Sequence, residues 1–531
     1  MSIGKKVIGL VLGWLLTSGQ AQALTLDEMA ALSSGDNDAR IAALNKQVAK
    51  ADPALLGFLQ ALENDQVKLV GDKPVLVDDS GAAHDPVSGK AVALPDDAED
   101  VVNNNRMRGA LDAAIAGLQL NSADVAVRKA AVEVLRDADL DPAELDMIRR
   151  AEARETNADI KDMLERIRSR LELSSPDSAV RMRAAQKLGE SDRAEIKQLL
   201  ADHLAEGTEK DPQVISAIKV AMLNIDNRIA RYEMYGTLFT GISLGSVLLL
   251  AALGLAITYG LMGVINMAHG EMMMLGAYAT YMVQHAFQSW WPGMLGAYVI
   301  VAIPFAFAVT MLVGMALERL VIRHLYGRTL ETLLATWGVS LILMQLVRTI
   351  FGAQNVLVEN PSWLSGGLAL SSNLVLPYNR IAIIVFAALV LLLVWLLLVR
   401  TRLGLFVRAV TQNRRMASCV GVNTARVDML AFGIGSGIAG LAGVALSQVG
   451  NVGPDLGTNY IVDSFMVVVL GGVGQLMGTV YSALGLGMLN KLLEGYTGAV
   501  LAKIIVLVLI IVVIQKRPQG LFALKGRSID G

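Results

Sequence analysis

From residue 231 onward, apolar residues run in blocks separated by short polar loops: near 237 to 257, 262 to 283, 294 to 317, 332 to 348, 381 to 399, 427 to 449, 462 to 490 and 498 to 514. The block "IAIIVFAALVLLLVWLLLV" carries no polar side chain and suits the roughly 20-residue helix that crosses a bilayer core. Several other blocks include Gly, Ser, Thr, Asn and Gln, which suit helices that pack on one another or line a polar path. Before them the pattern changes. From Leu24 to about residue 230, apolar positions recur at spacings of three and four among Ala, Leu, Glu and Arg, which predicts amphipathic helices. Between Lys68 and Leu94, Gly, Pro and Asp punctuate short Val/Leu runs, predicting one or two β-hairpins.

The expected fold is therefore all-α: a polytopic helical membrane domain over 231–531, preceded by a mostly helical soluble domain over 24–230 with a small β-hairpin insertion. "DVAVRKAAVEVL" from Asp124 and "DSAVRMRAAQKLG" from Asp177 each open with an acidic N-cap candidate. Their likeness predicts a HEAT-like stacked array. Residues 1–23 read Lys5, Lys6, then "VIGLVLGWLL", then "AQA", the order of a secretory signal peptide. The following domain is expected outside the cytoplasm.

Composition sharpens this division. The chain is 54% apolar and 18% charged. Residues 24–230 hold 26 Lys and Arg against 38 Asp and Glu, while residues 231–531 hold 18 against 10. The acidic excess argues against nucleic acid as a partner. A single cysteine, Cys419, excludes an intrachain disulfide and a multi-cysteine metal site. His84 and His203 stand too far from other ligand types to suggest a metal centre. No nucleophile and base pair points to an enzyme, and no cofactor motif is present.

Basic loops orient the membrane half. "ERLVIRHLYGR" (Glu318 to Arg328) and "RTRLGLFVRAVTQNRR" (Arg400 to Arg415) are two crossings apart, so both are expected in the cytoplasm, as is the tail "KRPQGLFALKGR". With the first domain outside, that demands an odd number of crossings, whereas eight blocks are visible. The span from Ile461 to Asn490 is too long for one helix and short for two, so it is expected to be broken or re-entrant. Gly433 with Gly437, and Ala439 with Gly443, are small-residue pairs that favour close helix packing.

Polar residues inside the apolar blocks are the candidates for a solute path. "MGVINMAHGEMMMLGAY" places Asn266, His269 and Glu271 within six residues. A buried Glu271 needs a partner or an interface, and His269, two residues away on a helix, does not face it. Either the helix breaks near Gly270 or each side chain meets a different neighbour; a structural and gating role is preferred over direct solute contact, with Asn266 the best contact candidate. Thr332, Thr336 and Ser340 recur every four residues, with Gln345 beyond them, as a polar stripe for interhelical bonding or solute passage. The chain has no G-x-x-x-x-G-K-[ST] sequence, so any ATP is hydrolysed by another subunit. Arg408, Gln412, Asn413 and Arg414, in the long loop up to Arg426, are where such a partner is expected to dock.

"GVINMAHGEMMMLGAY", "TLLATWGVSLILMQ", "RTRLGLFVRAVTQNRRMASCVGVN", "VLGGVGQLMGTVYSALGLG" and "RPQGLF" resemble, in order, the permease subunits of the branched-chain amino acid family of ABC importers. The long extension before them is similar, more narrowly, to the first permease subunit of bacterial urea importers. The resemblance implies a multi-pass inner-membrane protein that translocates urea, with a branched-chain amino acid or short amide as the alternative solute. It also implies a second related permease, two cytoplasmic ATPase subunits and a periplasmic solute-binding protein. The loop around Ala409 to Gly421 corresponds to the ATPase-docking loop, without the E-A-A form of other ABC importers. From a different class, a membrane sensor or scaffold is the competing reading.

Overall fold

The computed structural model describes residues 24–522 except 49, 51–52, 79–80, 96–97, 139, 206, 208, 264 and 518–519. The expected signal peptide and the last part of the basic tail lie outside the described residues. The chain divides into two units, Met1–Arg228 and Ile229–Gly531, each with its own cores.

The first unit contains α1 (Leu26–Ser33), α2 (Asn37–Val48), α3 (Pro53–Glu63), strands β1 to β5 (67–70, 73–77, 83–84, 91–92, 99–100), α4 (Asn105–Gln119), α5 (Val125–Asp137), α6 (Leu145–Arg154), α7 (Ala158–Glu172), α8 (Ser178–Leu188), α9 (Ala194–Ala205) and the start of α10 (Pro212–Met262). A single local device recurs three times. Asp36, Asp124 and Asp177 accept the N–H groups of Ala39, Ala126 and Ala179 at 2.7, 2.8 and 2.9 Å, capping α2, α5 and α8. Four residues after each aspartate stands an arginine that reaches the segment before a later helix. Arg40 bonds the Val102 carbonyl and Asn103 before α4, Arg128 grips Glu155 before α7, and Arg181 grips Glu209 before α10. The chain thus builds three helix triplets, α2–α3–α4, α5–α6–α7 and α8–α9–α10.

Sequence similarity marked only the opening helices of two of these triplets, α5 and α8. The first triplet was hidden because a sheet is inserted between its second and third helices, and because Asn103 takes the place that Glu155 and Glu209 fill elsewhere. In those two later clamps the arginine hydrogen bonds hold each carboxyl down at about 2, assisted by two backbone N–H donors apiece. The inserted sheet has the antiparallel order β4-β3-β2-β1-β5. It exceeds the expected hairpins because β5 returns to pair with β1, Lys68 opposite Asp100.

The second unit comprises the rest of α10, α11 (His269–Trp290), α12 (Tyr298–Leu320), α13 (Thr329–Phe351), a hairpin of β6 (Gly367–Ser371) and β7 (Leu374–Pro377), α14 (Tyr378–Arg400), α15 (Arg402–Gln412), α16 (Arg414–Cys419), α17 (Thr424–Ser447), α18 (Leu456–Gly471), α19 (Leu476–Thr497) and α20 (Ala499–Lys516). Among the described residues, six helical stretches are long and apolar enough to cross a membrane: Pro212–Met262, Pro292–Leu320, Thr329–Phe351, Tyr378–Arg400, Thr424–Ser447 and Ala499–Lys516. Helices α11, α18 and α19 share their core. The span from Ile461 to Asn490 is two helices, because Gly472 and Gly474 take φ of +94° and +77° and turn the chain between α18 and α19.

Helix α17 is buried along most of its length and forms the middle of the unit. Its small residues admit neighbours at backbone distance. A Cβ on Gly437 would fall 2.5 Å from the Phe307 ring of α12, and one on Gly276 of α11 would fall 2.6 Å from the Cα of Gly440. Helix α12 continues through Pro304.

The loops sort by end. At one end, the Leu521 N–H bonds the Leu470 carbonyl beside the α18–α19 turn, and Gly260 abuts Gly474. Tyr326 and the α15–α16 segment meet the end of α10 there as well. Both basic loops and the start of the basic tail therefore share one end of the unit. At the other, Tyr298 bonds the Glu359 carbonyl, Trp363 bonds the Gly296 carbonyl, and β6–β7 lies near Gly236, where α10 enters.

Candidate functional site: a helix break facing a hydroxyl seam

Helix α10 stops at Met262 because Gly263 adopts φ +67° and returns its N–H to the Tyr259 carbonyl at 2.9 Å, a left-handed helix stop. The next helix begins at His269. The His269 ring meets the carbonyl of Ala251, eleven residues and about 16 Å back along α10 from Met262. Helix α11 thus starts partway along its neighbour, and the irregular residues 265–268 before it are buried or half-buried. Such backbone is tolerated at membrane depth where it is buried in protein or lines a cavity.

Each polar residue of this stretch meets a different neighbour, the second of the two expected alternatives, and the break precedes Gly270. Asn266 Oδ1 accepts the Ala268 N–H at 3.0 Å. His269 Nε2 lies 3.0 Å from the Ala251 carbonyl; because a carbonyl only accepts, this nitrogen carries the proton. Glu271 Oε1 accepts the Ser340 hydroxyl at 2.9 Å, and the Met267 N–H donates to Thr336 Oγ1 at 3.2 Å. Gly270 is required at its position, since a Cβ there would sit 2.5 Å from the Gly457 carbonyl oxygen of α18.

The α13 stripe is real for three of its four members. Thr332, Thr336 and Ser340 are buried, and Thr332 donates to the Arg328 carbonyl at 2.8 Å. Gln345 is exposed and stands apart from them, because five residues past Ser340 is about 140° around the helix. Asn266 Nδ2, His269 Nδ1 and Glu271 Oε2 are all buried without a protein partner. Buried polar atoms of this kind call for a partner, and here three fall within six residues, with Glu271 facing the α13 hydroxyls and His269 turned to α10. No cluster of three or more metal-ligating side chains occurs among the described residues.

The loop expected to dock a partner forms two short helices, α15 and α16. Thr401 caps α15, and Asn413 caps α16 by accepting the Met416 N–H at 2.9 Å. Arg408, Gln412 and Asn413 are exposed, Ala409 is half-buried, and Gly421 turns the chain at φ +89°. Leu405, Phe406, Met416 and Val420 are exposed apolar residues on the same segment. Arg414 differs from its expected free state: it pairs with the buried carboxylate of Asp428 and lies over the Tyr326 ring. Sequence reasoning missed Tyr326, Asp428 and buried Glu318. Asp428 inside the 427 to 449 apolar block, and Glu318 at the edge of the 294 to 317 block, were the signal available.

These features define a polytopic membrane protein with a polar interior seam and, apart from it, an exposed basic loop. Residues 237–514 match the model of the branched-chain amino acid transport system / permease component family, and the chain belongs to that family. It is 31% identical over 292 residues to the high-affinity branched-chain amino acid transport system permease protein LivH of Salmonella typhimurium, covering 54% of this chain and 94% of that one. To the corresponding protein BraD of Pseudomonas aeruginosa it is 29% identical over 296 residues, 55% of this chain and 96% of that one. A shorter match, 32% over 109 residues, reaches the ribose import permease protein RbsC of Escherichia coli, covering 19% of this chain and 34% of that one. No solved structure matches. As a permease subunit the chain is not itself an enzyme.

Proposed function

We propose that the chain is the membrane-spanning subunit of an ABC importer for a small, uncharged, hydrogen-bonding solute, with urea the best fit. The observation that carries this is the seam itself: Glu271 meets Ser340 and the Met267 N–H meets Thr336, Glu271 and nearby Asn266 keep unpartnered buried polar atoms, and among the described residues no Lys or Arg of this unit is buried. Urea asks only for donors and acceptors, whereas the carboxylate of an amino acid asks for a cation or a helix N-terminus. A branched-chain amino acid is the second reading, favoured by the printed names of LivH and BraD and by the N-terminus of α11 at this place. ATP is hydrolysed by two cytoplasmic subunits docking on the α15–α16 loop, beside a second related permease; a periplasmic binding protein delivers the solute. Residues 24–230 form a HEAT-like contact domain outside the inner membrane, after a cleaved leader of 23 residues.

The test is uptake of labelled urea and labelled leucine by cells lacking the gene and by the same cells carrying it again. Loss and recovery of urea uptake with leucine unchanged supports the first reading. The reverse selects the second, and loss of neither overturns the importer reading.

A further inference from the structure

At the end of the second unit that carries the basic loops, a polar cluster lies outside the seam. Arg414, the first residue of α16, pairs with Asp428 in the first turns of α17, and Asp428 is fully buried. The Arg414 guanidinium centre lies 4.7 Å from the centroid of the Tyr326 ring. The Tyr326 hydroxyl in turn is 3.4 Å from Met262 Sδ and 3.3 Å from Glu318 Oε1, while Glu318, also fully buried, accepts from Arg323 at 3.3 Å. Met262 is the last residue of α10, and the next residue is Gly263, where the break begins.

We propose that Arg414 and Tyr326 are positioning residues that carry displacement of the α15–α16 loop to the end of α10, and so to the helix break that begins at Gly263, beside the polar seam. This rests on the importer reading. The loop also touches the bundle through Val407, Val410 and Ala417 against Leu261 and Val427, but apolar contact is non-directional and lets surfaces slide. The polar contacts do not slide freely. A buried carboxylate must keep its partner, so Arg414 and the start of α17 move together. The stacked tyrosine follows the guanidinium, and its hydroxyl presses on the residue whose neighbour sets the break. Motion at the docking loop is thus delivered to Asn266, His269 and Glu271 through side chains with discrete arrangements.

The experiment uses the whole complex, with partner permease, ATPases and binding protein, in proteoliposomes where hydrolysis and uptake are measured together. Tyr326→Phe keeps the ring under Arg414 and removes the hydroxyl. Hydrolysis is expected to stay within about twofold of wild type while solute moved per ATP falls about fivefold. In a Cys419→Ser background carrying Met267→Cys, thiol reactivity that depends on nucleotide in the parent is expected to lose that dependence when Tyr326→Phe is added. A merely structural tyrosine would lower both activities together and leave the dependence intact. Unchanged solute per ATP with unchanged nucleotide dependence overturns the proposal. Should Tyr326→Phe fail to assemble, Arg414→Lys keeps the charge on Asp428, loses the planar stack, and carries the same two expectations. A wild-type complex that hydrolyses ATP but moves no solute overturns the importer reading itself, a failure seen before any variant is compared.

Discussion

Replacing Glu209 by glutamine tests the clamp that organises the helix triplets. In the native chain Arg181 holds this carboxylate through Nε and Nη2 at 2.6 and 2.9 Å, and the Glu209 side chain is 1% exposed. Its acidity rises from an ordinary 4.5 to about 2, first through the Arg181 hydrogen bonds. That gap is worth roughly 3 kcal/mol, trimmed to about 2 to 3 because Arg181 retains solvent contact. Since folding depresses the value, the stabilisation is complete above pH 4.5 and is lost as pH falls through about 2. Hydrogen exchange on the full chain, followed in peptides from α8 and α9, measures it locally. Glu209→Gln is expected to lower protection roughly 30- to 150-fold at pH 7. Near pH 2.5 the deficit is expected to shrink to about 1 kcal/mol or less, because the wild-type charge is itself being neutralised there. A deficit of equal size at both pH values would refute the electrostatic origin, and no deficit at pH 7 would show that the clamp contributes nothing.

Three further outcomes follow from the membrane unit. Ser340→Ala leaves the buried Glu271 without its hydroxyl donor, costing about 1 to 3 kcal/mol; solute uptake should fall while ATPase co-purification persists, and normal uptake would remove Ser340 from the seam. Gly270→Ala drives a methyl into the Gly457 carbonyl, an overpacking of about 1 to 3 kcal/mol that should lower the melting temperature in detergent; an unchanged melting temperature would contradict the close α11–α18 approach. Cys419 is free and exposed on α16, so an impermeant maleimide should label it in inverted vesicles but not in spheroplasts, and the opposite pattern would reverse the assigned orientation.

Much of this was legible in sequence, and the reasons differ by region. Helix α14 announces itself because its apolar run is uninterrupted and lipid-length. Helix α17 was visible despite its glycines, which proved to be packing surfaces against Phe307, Met315 and Met273. The α18–α19 split was suspected from length alone, while the glycines that make it were also consistent with packing, so only the φ angles decided between them. The hairpin β6–β7 went unnoticed, since "GLALSSNLVLP" is a short alternation between two much stronger helical signals. At the site, periodicity was enough to unite Thr332, Thr336 and Ser340. It could not show that Glu271 meets Ser340, because that contact joins two helices whose relative height is set by tertiary packing and not by periodicity. Arg414 misled for a similar reason: a loop arginine looks solvated until the buried acid opposite it, fourteen residues on, is brought into reach by the fold.

Under the importer reading, this permease is driven by ATP hydrolysed at the end bearing Arg402–Arg426. The most direct measurement is solute uptake by the reconstituted complex with ATP supplied to one side at a time and binding protein with solute on the opposite side. Uptake is predicted only when ATP is on the side of the α15–α16 loop. Uptake without ATP, or with ATP effective only from the β6–β7 side, would contradict it.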